Sequence, residues 1–333
     1  MATMKNTKII VIGTGSWGTA LAVSLHNASK NITLWGRRKE YIDELRTTRQ
    51  SIYLPNLVLP KDLDITSDMN SIADADIILW VAPVQQSEHL LNTLQPHINE
   101  NAKIVSCSKG LEINSQKPLT HIFKNILPNQ IGVLSGPNFA DEVAQGLPAA
   151  STLAFENLDT AKSVAQYLRH TNFRVYAHYD VVGVEIAGAL KNVMAIAAGI
   201  VIGKKLGHNC LATLITRANA EIGRILSALG GAQETNQTLA GIGDLILTCT
   251  SPKSRNTSLG IALAEGKTLQ EILANRINVT EGVATSKVAY DLTQTQNIYA
   301  PIINAVYEII HLGKAIDDVV SAMLNQQQEL EIP

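Results

Sequence analysis

The sequence predicts a doubly wound, mostly parallel α/β sheet that is followed by an all-helical domain. Three observations carry this prediction: the chain is long enough for two domains, strand and helix patterns alternate up to about residue 180, and long helical patterns dominate after it. Strands and helices in alternation are typical of a parallel sheet with helices on both faces. We therefore predict a sheet domain over residues 1–188 and a helical domain over residues 189–333.

The individual elements follow from apolar periodicity. The predicted strands are short apolar runs, some continuous enough to be buried on both faces: 8–13, 31–36, 75–83, 103–110, 131–137, 150–155 and 173–178. Helical spacing appears between them and then throughout the second half: 20–28, 118–127, 159–170, 181–203, 210–229, 257–265, 268–275, 282–296 and 301–312. Thr268 and Glu271 have the spacing of a capping box at one of these helix starts.

Composition and charge limit the classes of partner. Hydrophobic residues make up 46% and charged residues 17%, so a large core is expected and wholesale disorder is not. The 27 basic and 29 acidic residues give a net charge of −2, which provides no basic field for nucleic acid. The three cysteines are odd in number and far apart, which fits neither a disulfide framework nor a zinc site and is typical of a cytoplasmic protein.

One apolar segment has the length of a membrane span. Residues 181–202 reach the roughly 20 residues that a bilayer helix needs. Glu185 and Lys191 lie inside this segment, and each charge would be costly in lipid. We therefore predict a helix buried in protein and no membrane insertion.

A glycine-rich turn follows the first predicted strand. GTGSWG, residues 13–18, matches G-x-G-x-x-G at the start of the first helix. Gly13 permits the tight turn, Gly15 lets the backbone approach a pyrophosphate, and Gly18 allows close helix–strand packing. The helix start offers backbone N–H groups to the phosphates. This context predicts a Rossmann-like dinucleotide site, with a merely structural glycine turn as the alternative.

The end of the second predicted strand bears on the choice of cofactor. An acid there would bind a ribose 2′-hydroxyl, but WGRRKE places Arg37 and Arg38 at this position. Two guanidinium groups suit a 2′-phosphate, which favours NADP(H) over NAD(H). Use of both cofactors remains open, and two solvated arginines are the alternative.

A lysine interrupts the most apolar helical segment. EIAGALKNVMAIAAG, residues 185–199, carries Lys191 near its centre, where an unpaired ammonium would be costly. In a dry cleft this ammonium can polarise a carbonyl oxygen and donate a proton, and burial lowers its pKa towards neutrality. The alternative is an ion pair with Glu185, six residues away on another helix face, or with an acid on a neighbouring helix. We favour the catalytic interpretation.

A second group of polar residues lies in residues 241–260. Asp244 is predicted in an apolar, glycine-flanked loop, and Ser254 is predicted to cap a helix that Arg255 and Asn256 open. A capping hydroxyl, backbone N–H groups and a guanidinium at a helix start form an anion site. An ordinary cap with an exposed arginine fits the local sequence equally well.

Two further segments follow predicted strands. Lys109 lies in SKGLE after the fourth strand, and SGPNFADE, residues 135–142, follows the fifth. Doubly wound sheets bind ligands at the carboxyl ends of their strands. Both segments are therefore expected near a bound ligand.

Taken together, these motifs closely resemble the bacterial-type NAD(P)-dependent glycerol-3-phosphate dehydrogenases. The matching text is GTGSWGTALA, CSKGLE, LSGPNFADE, ALKNVMAIAAG, AGIGDLILTCTSPKSRN and VTEG, in that order. The resemblance implies reduction of dihydroxyacetone phosphate by NADPH or NADH, which supplies sn-glycerol 3-phosphate for phospholipid synthesis. It also implies a cytoplasmic enzyme, usually a homodimer, that acts on a small phosphorylated substrate.

The resemblance also implies roles for individual residues. Lys191 would be the proton donor or acceptor. Cofactor contacts would come from the three glycines of the turn, Gly13, Gly15 and Gly18, and from Ser16, Trp17, Arg37, Arg38, Lys109, Ala140, Val279 and Glu281, with Arg255 also facing the cofactor. Substrate contacts would come from Lys109, Gly136, Lys191, Asp244, Ser254, Arg255 and Asn256. The chain departs from the family at Asn138, where Ser or Thr is usual, although an amide can also hydrogen-bond a phosphate or hydroxyl.

Two alternative functions remain open at this point. A related two-domain dehydrogenase acting on a 3-hydroxyacid also carries a lysine–asparagine pair on a helix, but the anion site at residues 254–256 favours a phosphorylated substrate. A cofactor-binding redox sensor predicts dinucleotide binding without turnover. That second alternative leaves the buried lysine unexplained.

Overall fold

A computed structural model describes residues 7–276 and 279–325 of the chain. Its contacts separate two compact units: Met1–Ser108 with Leu119–Val181, and Lys109–Pro118 with Val182–Pro333. The first unit is built on a sheet and the second is helical, which confirms the predicted fold class. The domain boundary after residue 188 stays a prediction, and a continuous helix, Val181–Gly203, runs through that position.

The described part of the first unit contains ten strands, eight of them in one sheet. They are β1 (Lys8–Ile12), β2 (Asn31–Trp35), β3 (Gln50–Ser51), β4 (Leu54–Val58), β5 (Asp64–Thr66), β6 (Ile77–Trp80), β7 (Lys103–Ser106), β8 (Gln130–Ser135), β9 (Ala149–Phe155) and β10 (Phe173–His178). The sheet order is β10-β9-β8-β7-β6-β1-β2-β5, and only the β8–β9 pair is antiparallel. Strands β3 and β4 form a separate antiparallel hairpin.

Helices cover both faces of this sheet. They are α1 (Ser16–Asn27), α2 (Lys39–Thr48), α3 (Val84–Leu94), α4 (Leu119–Ile126), α5 (Ala140–Ala144) and α6 (Leu158–Leu168). Ile9 and Val11 of β1 pack in one buried cluster with residues of α1, α2 and α6. Ile10 and Ile12 pack on the other face with residues of α3 and α4. Burial on both faces explains why these strands are continuously apolar.

The connectivity of the sheet reverses at β1. From this strand the chain first builds outward through β2 and β5, then returns to add β6, β7 and β8 on the other side. The carboxyl end of β1 is therefore the topological switch point, where open α/β sheets bind ligands. The glycine turn follows β1 directly.

The regular elements in the described part of the second unit are helices, while its segment Lys109–Pro118 is closed by an isolated antiparallel β-bridge between Leu111 and Pro118. Its helices are α7 (Val181–Gly203), α8 (His208–Ala228), α9 (Asp244–Thr250), α10 (Arg255–Ala264), α11 (Leu269–Ala274), α12 (Glu281–Thr295), α13 (Pro301–Leu312) and α14 (Ile316–Leu324). Among the described helices, only α7 has the length and apolar composition of a membrane span, and 83% of its apolar window is buried inside the protein. Its side chains form the centre of this unit's hydrophobic core, as the sequence predicts.

Helices α7 and α10 approach each other through two glycines. A Cβ added to Gly199 would lie 2.1 Å from the Thr257 carbonyl oxygen, and one added to Gly260 would lie 2.1 Å from the Ile196 carbonyl oxygen. Both distances are far below van der Waals contact. The two backbones can therefore lie this close only because neither position carries a side chain.

The structure corrects several sequence-based expectations. The strand predicted over 103–110 ends at Ser106, and the segment Lys109–Pro118 belongs to the second unit. The loop predicted around Asp244 is the start of helix α9, after a wide helical turn with a kink at Gly241. Besides α9, seven strands and helices were not predicted: β3, β4, β5, α2, α3, α5 and α14.

Candidate active site

The glycine turn has the geometry that a dinucleotide requires. Gly13 has a φ of +122°, and a Cβ there would lie 2.9 Å from the backbone of Val81. A Cβ on Gly18 would lie 1.9 Å from the Gly13 carbonyl oxygen, so both positions need glycine. A Cβ on Gly15 would meet no described atom within 4 Å, which leaves open space for phosphate groups over the turn.

The start of α1 adds two features that fit a bound anionic cofactor. Gly15 occupies the N-cap position, which provides no side chain to cap the helix. Such a helix start attracts negative charge. The indole Nε1 of Trp17 is buried, and none of the described residues accepts a hydrogen bond from it. The turn and the helix start therefore suit a dinucleotide whose oxygens accept hydrogen bonds here.

The two arginines lie after β2, as predicted, and both are exposed. Arg38 donates a hydrogen bond from Nη2 to the Tyr53 hydroxyl at 2.8 Å. Its guanidinium also lies 5.0 Å from the centre of the Tyr41 ring. Arg38 is thus held in one orientation, while its role towards a 2′-phosphate stays a prediction.

Three of the predicted or doubtful positions lie after β8. A Cβ on Gly136 would lie 2.8 Å from the Ala150 carbonyl oxygen, so no side chain fits there. Ala140 is the first residue of α5. Asn138 donates from Nδ2 to the Ala150 carbonyl at 3.2 Å and to the Ser151 hydroxyl at 2.8 Å. The amide nitrogen of this residue, which replaces the usual Ser or Thr of the family, therefore hydrogen-bonds to β9.

The second unit brings two lysines onto one buried carboxylate. The Lys191 ammonium lies 2.9 Å from Oδ1 of Asp244, and the Lys109 ammonium lies 2.5 Å from Oδ2. Lys191 also donates to the Thr248 hydroxyl at 2.7 Å. Lys191 is 7% exposed and Asp244 only 1%. Lys191 is thus paired with an acid on a neighbouring helix, one of the arrangements that the sequence left open.

Burial and charge set the protonation of this cluster. Burial lowers the pKa of Lys191 to about 8, although the adjacent Asp244 carboxylate raises it. Burial disfavours the charged form of Asp244, but the two lysines outweigh this effect and hold its pKa below the usual range. Burial raises the pKa of the neighbouring Cys249 thiol to about 12, so this group is neutral. The cluster therefore has a stable anion and a lysine that titrates near physiological pH.

A chain of amides connects the lysine cluster to two other helix starts. Asn192 donates from Nδ2 to the Lys109 carbonyl oxygen at 3.2 Å. Asn256 donates from Nδ2 to Oδ1 of Asn192 at 2.9 Å, and its own Oδ1 accepts from the Gly282 N–H at 3.1 Å. These bonds link the segment of Lys109, helix α7, the start of α10 and the start of α12. Glu281 is the first residue of α12.

The predicted anion site at the start of α10 has the expected cap. The Ser254 hydroxyl accepts a hydrogen bond from the Thr257 N–H at 3.2 Å, which confirms Ser254 as the N-cap. Arg255 donates from Nη1 to the Val279 carbonyl oxygen at 2.7 Å. The predicted residues of the second unit thus form two neighbouring groups, one around Asp244 and one around the start of α10.

Two family models together match most of the chain. The model described as the N-terminus of NAD-dependent glycerol-3-phosphate dehydrogenase covers residues 8–161, and the corresponding C-terminal model covers residues 180–321. The chain belongs to this family. The predicted resemblance is therefore confirmed.

Individual relatives span nearly the whole length. A glycerol-3-phosphate dehydrogenase (NAD(P)+) of Parvibaculum lavamentivorans is 43% identical over 97% of this chain and 98% of its own length. The crystal structure of glycerol-3-phosphate dehydrogenase from Coxiella burnetii superposes with a TM-score of 0.92 at 36% identity, covering 97% of this chain and all of that one. The enzyme of Saccharomyces cerevisiae superposes with a TM-score of 0.83 at 28% identity, covering 97% of this chain and 100% of the other.

Two residues that bond to the lysines, Thr248 and Asn192, have no role predicted from the sequence. Thr248 lies four residues after Asp244, which places both side chains on one face of α9. That spacing carries information only if residues 244–250 are known to be helical. Asn192 follows Lys191 directly in the quoted motif, but its bonds to Lys109 and Asn256 span 83 and 64 residues of sequence.

Proposed function

We propose that this protein is an NAD(P)-dependent dehydrogenase that interconverts dihydroxyacetone phosphate and sn-glycerol 3-phosphate. The buried lysine cluster on Asp244 is the observation that carries the proposal, because a lysine with a pKa of about 8 can both donate and accept a proton near neutrality. The names of the full-length relatives support the same reaction and the use of NADP(H) or NAD(H).

The chain's own residues supply the proton and orient the substrate. Reducing a ketone to an alcohol requires one hydride and one proton, and a bound nicotinamide supplies the hydride. The Lys191 ammonium donates its proton to the ketone oxygen and becomes a neutral amine. Asp244 and Thr248 hold the amine in place through the bonds described above. In the oxidation direction, the neutral amine accepts the proton of the alcohol.

The start of α10 is proposed to bind the substrate phosphate. Arg255→Ala is expected to raise the KM for dihydroxyacetone phosphate at least about tenfold, because a charge-assisted bond to phosphate is lost, and to change kcat much less. Steady-state kinetics measure both constants. Lys267→Ala, which removes an exposed cation after the same helix, is the matched control. An unchanged KM in Arg255→Ala would remove this arginine from the phosphate site.

The two arginines after β2 are proposed to select the cofactor. Replacing Arg37 and Arg38 together by alanine is expected to raise the KM for NADPH about tenfold or more, while the KM for NADH stays nearly constant. The ratio of kcat/KM for the two cofactors is the measurement. If that ratio is the same in both proteins, the arginines do not contact the 2′-phosphate.

Further assignments are proposed on the strength of the family. Residues 1–188 would bind the dinucleotide and residues 189–333 the phosphorylated substrate. The remaining contacts implied by the resemblance are Ser16, Trp17, Ala140, Val279 and Glu281 for the cofactor, Lys109 for both ligands, and Gly136, Asp244, Ser254 and Asn256 for the substrate. We also propose that the protein is a cytoplasmic homodimer and that it supplies glycerol 3-phosphate for phospholipid synthesis.

A spectrophotometric assay tests the reaction. The purified protein is expected to oxidise NADPH or NADH when dihydroxyacetone phosphate is added. In the opposite direction, it should reduce NADP+ or NAD+ with sn-glycerol 3-phosphate but not with 3-hydroxyacids. Turnover of hydroxyacids alone would favour the related two-domain dehydrogenases. Binding of cofactor without turnover of any substrate would favour a sensor.

A further inference from the structure

The β3–β4 hairpin lies beside the predicted cofactor residues of the first unit. Leu54 of this hairpin forms a small buried cluster with Ala20 and Ala144, and the side chains of Trp17 and Ala140 pack against it. The hairpin thus contacts helix α1 just after the glycine turn, and also the start of α5. Its position relative to the dinucleotide site is therefore fixed by packing.

Tyr53, between the two strands of the hairpin, forms hydrogen bonds with two of the predicted cofactor residues. Its carbonyl oxygen accepts a hydrogen bond from the Ser16 hydroxyl at 3.1 Å, next to the glycine turn. Its hydroxyl accepts the hydrogen bond from Arg38 at 2.8 Å. One residue therefore connects the helix start that is expected to bind the pyrophosphate to the arginine that is expected to bind the ribose phosphate.

The ring of Tyr53 is itself held in place. It packs edge-on against the Tyr41 ring, with centroids 5.9 Å apart and planes at 80°. The Ser51 hydroxyl lies 3.1 Å from the Tyr41 hydroxyl and 3.2 Å from the Tyr53 backbone nitrogen. Because Tyr41 belongs to α2 and Ser51 to β3, both tyrosines are anchored to regular structure.

We propose that Tyr53 is a positioning residue that makes Arg38 selective for a ribose 2′-phosphate. This inference rests on the proposed function, and on its assignment of Arg38 in particular. The Tyr41 ring lies under the Arg38 guanidinium, and the Tyr53 hydroxyl accepts a hydrogen bond from its Nη2. Arg38 is therefore ordered before any cofactor binds. Binding a phosphate then costs less side-chain entropy.

The test compares two nucleotides that differ only in the 2′-phosphate. Calorimetric titration with adenosine 2′,5′-bisphosphate and with adenosine 5′-monophosphate reports binding without any turnover. Tyr53→Phe keeps the ring and removes the hydroxyl, so the bisphosphate is expected to bind about tenfold more weakly and the monophosphate as before. In kinetics, the KM for NADPH should rise by the same factor, with kcat and the KM for NADH unchanged.

Two further variants separate positioning from a merely structural role. Tyr176→Phe removes an exposed hydroxyl from β10, at the opposite edge of the sheet, and should leave both titrations unchanged. In an Arg38→Ala background, Tyr53→Phe should add less than twofold, because a residue that acts through Arg38 has nothing left to position.

Three results would overturn the inference. The first is that Tyr53→Phe binds the bisphosphate with wild-type affinity. The second is that Tyr53→Phe weakens the binding of both nucleotides by the same factor. The third is that the losses of bisphosphate affinity are additive in the double variant. A protein that binds these nucleotides but oxidises neither NADPH nor NADH with dihydroxyacetone phosphate would instead refute the proposed reaction. The two failures are thus distinguishable.

Discussion

Lys191→Ala is expected to lower kcat for reduction of dihydroxyacetone phosphate by about 10²–10⁴-fold, the usual contribution of a general acid. The KM should change much less, because the phosphate is held at the start of α10. Steady-state kinetics with saturating NADPH measure both quantities. This expectation follows from the burial of Lys191, which is only 7% exposed. In the alanine variant, a water molecule cannot readily take over the role of the lost ammonium as proton donor.

Two further variants separate the loss of the proton donor from the loss of positive charge and from a general effect of removing a lysine. Lys191→Arg keeps the positive charge but should be nearly as inactive, because a guanidinium does not release its proton near neutrality. Lys204→Ala removes a partly exposed lysine just after the same helix and should behave as wild type. Normal turnover in the alanine variant at position 191 would end the proposed mechanism.

Asp244→Asn is expected to lower kcat/KM for ketone reduction by roughly 100-fold, and to change the pH profile. Reduction requires protonated Lys191, so wild-type kcat/KM should fall as the pH rises through about 8. Oxidation requires the neutral amine and should rise over the same interval. Without the carboxylate, Lys191 loses the charge that raises its pKa and keeps the burial that lowers it. The falling limb of the reduction profile should therefore move to lower pH.

Full pH profiles in both directions test this shift. Asp317→Asn, at an exposed carboxylate of the second unit, is the control and should leave the profile unchanged. A limb that stays at its wild-type pH in Asp244→Asn would mean that another group titrates in that range.

Much of the fold was predictable because its strands are buried on both faces. Ile9 to Ile12 of β1 are all buried, and a continuous apolar run followed by glycines is a strong local signal. The helix starts at Thr268 and Ser254 were predictable for a similar reason, because each cap lies within three residues of its partner.

The elements that escaped prediction are decided by tertiary contacts. Strand β3 has two residues, and β4 contains Pro55 and is mostly exposed, so neither shows an alternating pattern. Helix α9 follows a glycine-rich turn and contains residues of weak helix propensity, but Asp244 and Thr248 are fixed there by Lys191. The pairing of Lys109 with Asp244 spans 135 residues, a distance over which local sequence carries no signal.

The contact between Gly199 and Gly260 has a consequence for substrate choice. Helix α7 carries the proposed proton donor, and α10 begins at the proposed phosphate site, so the separation of the two backbones limits how far the reacting carbon can lie from the phosphorus. The absence of a side chain at Gly199 and at Gly260 sets this separation, and neither glycine is a proposed ligand contact. We therefore expect discrimination among phosphorylated ketones to depend on the number of bonds between the carbonyl carbon and the ester oxygen. Substitutions that leave Gly199 and Gly260 in place should not change that dependence.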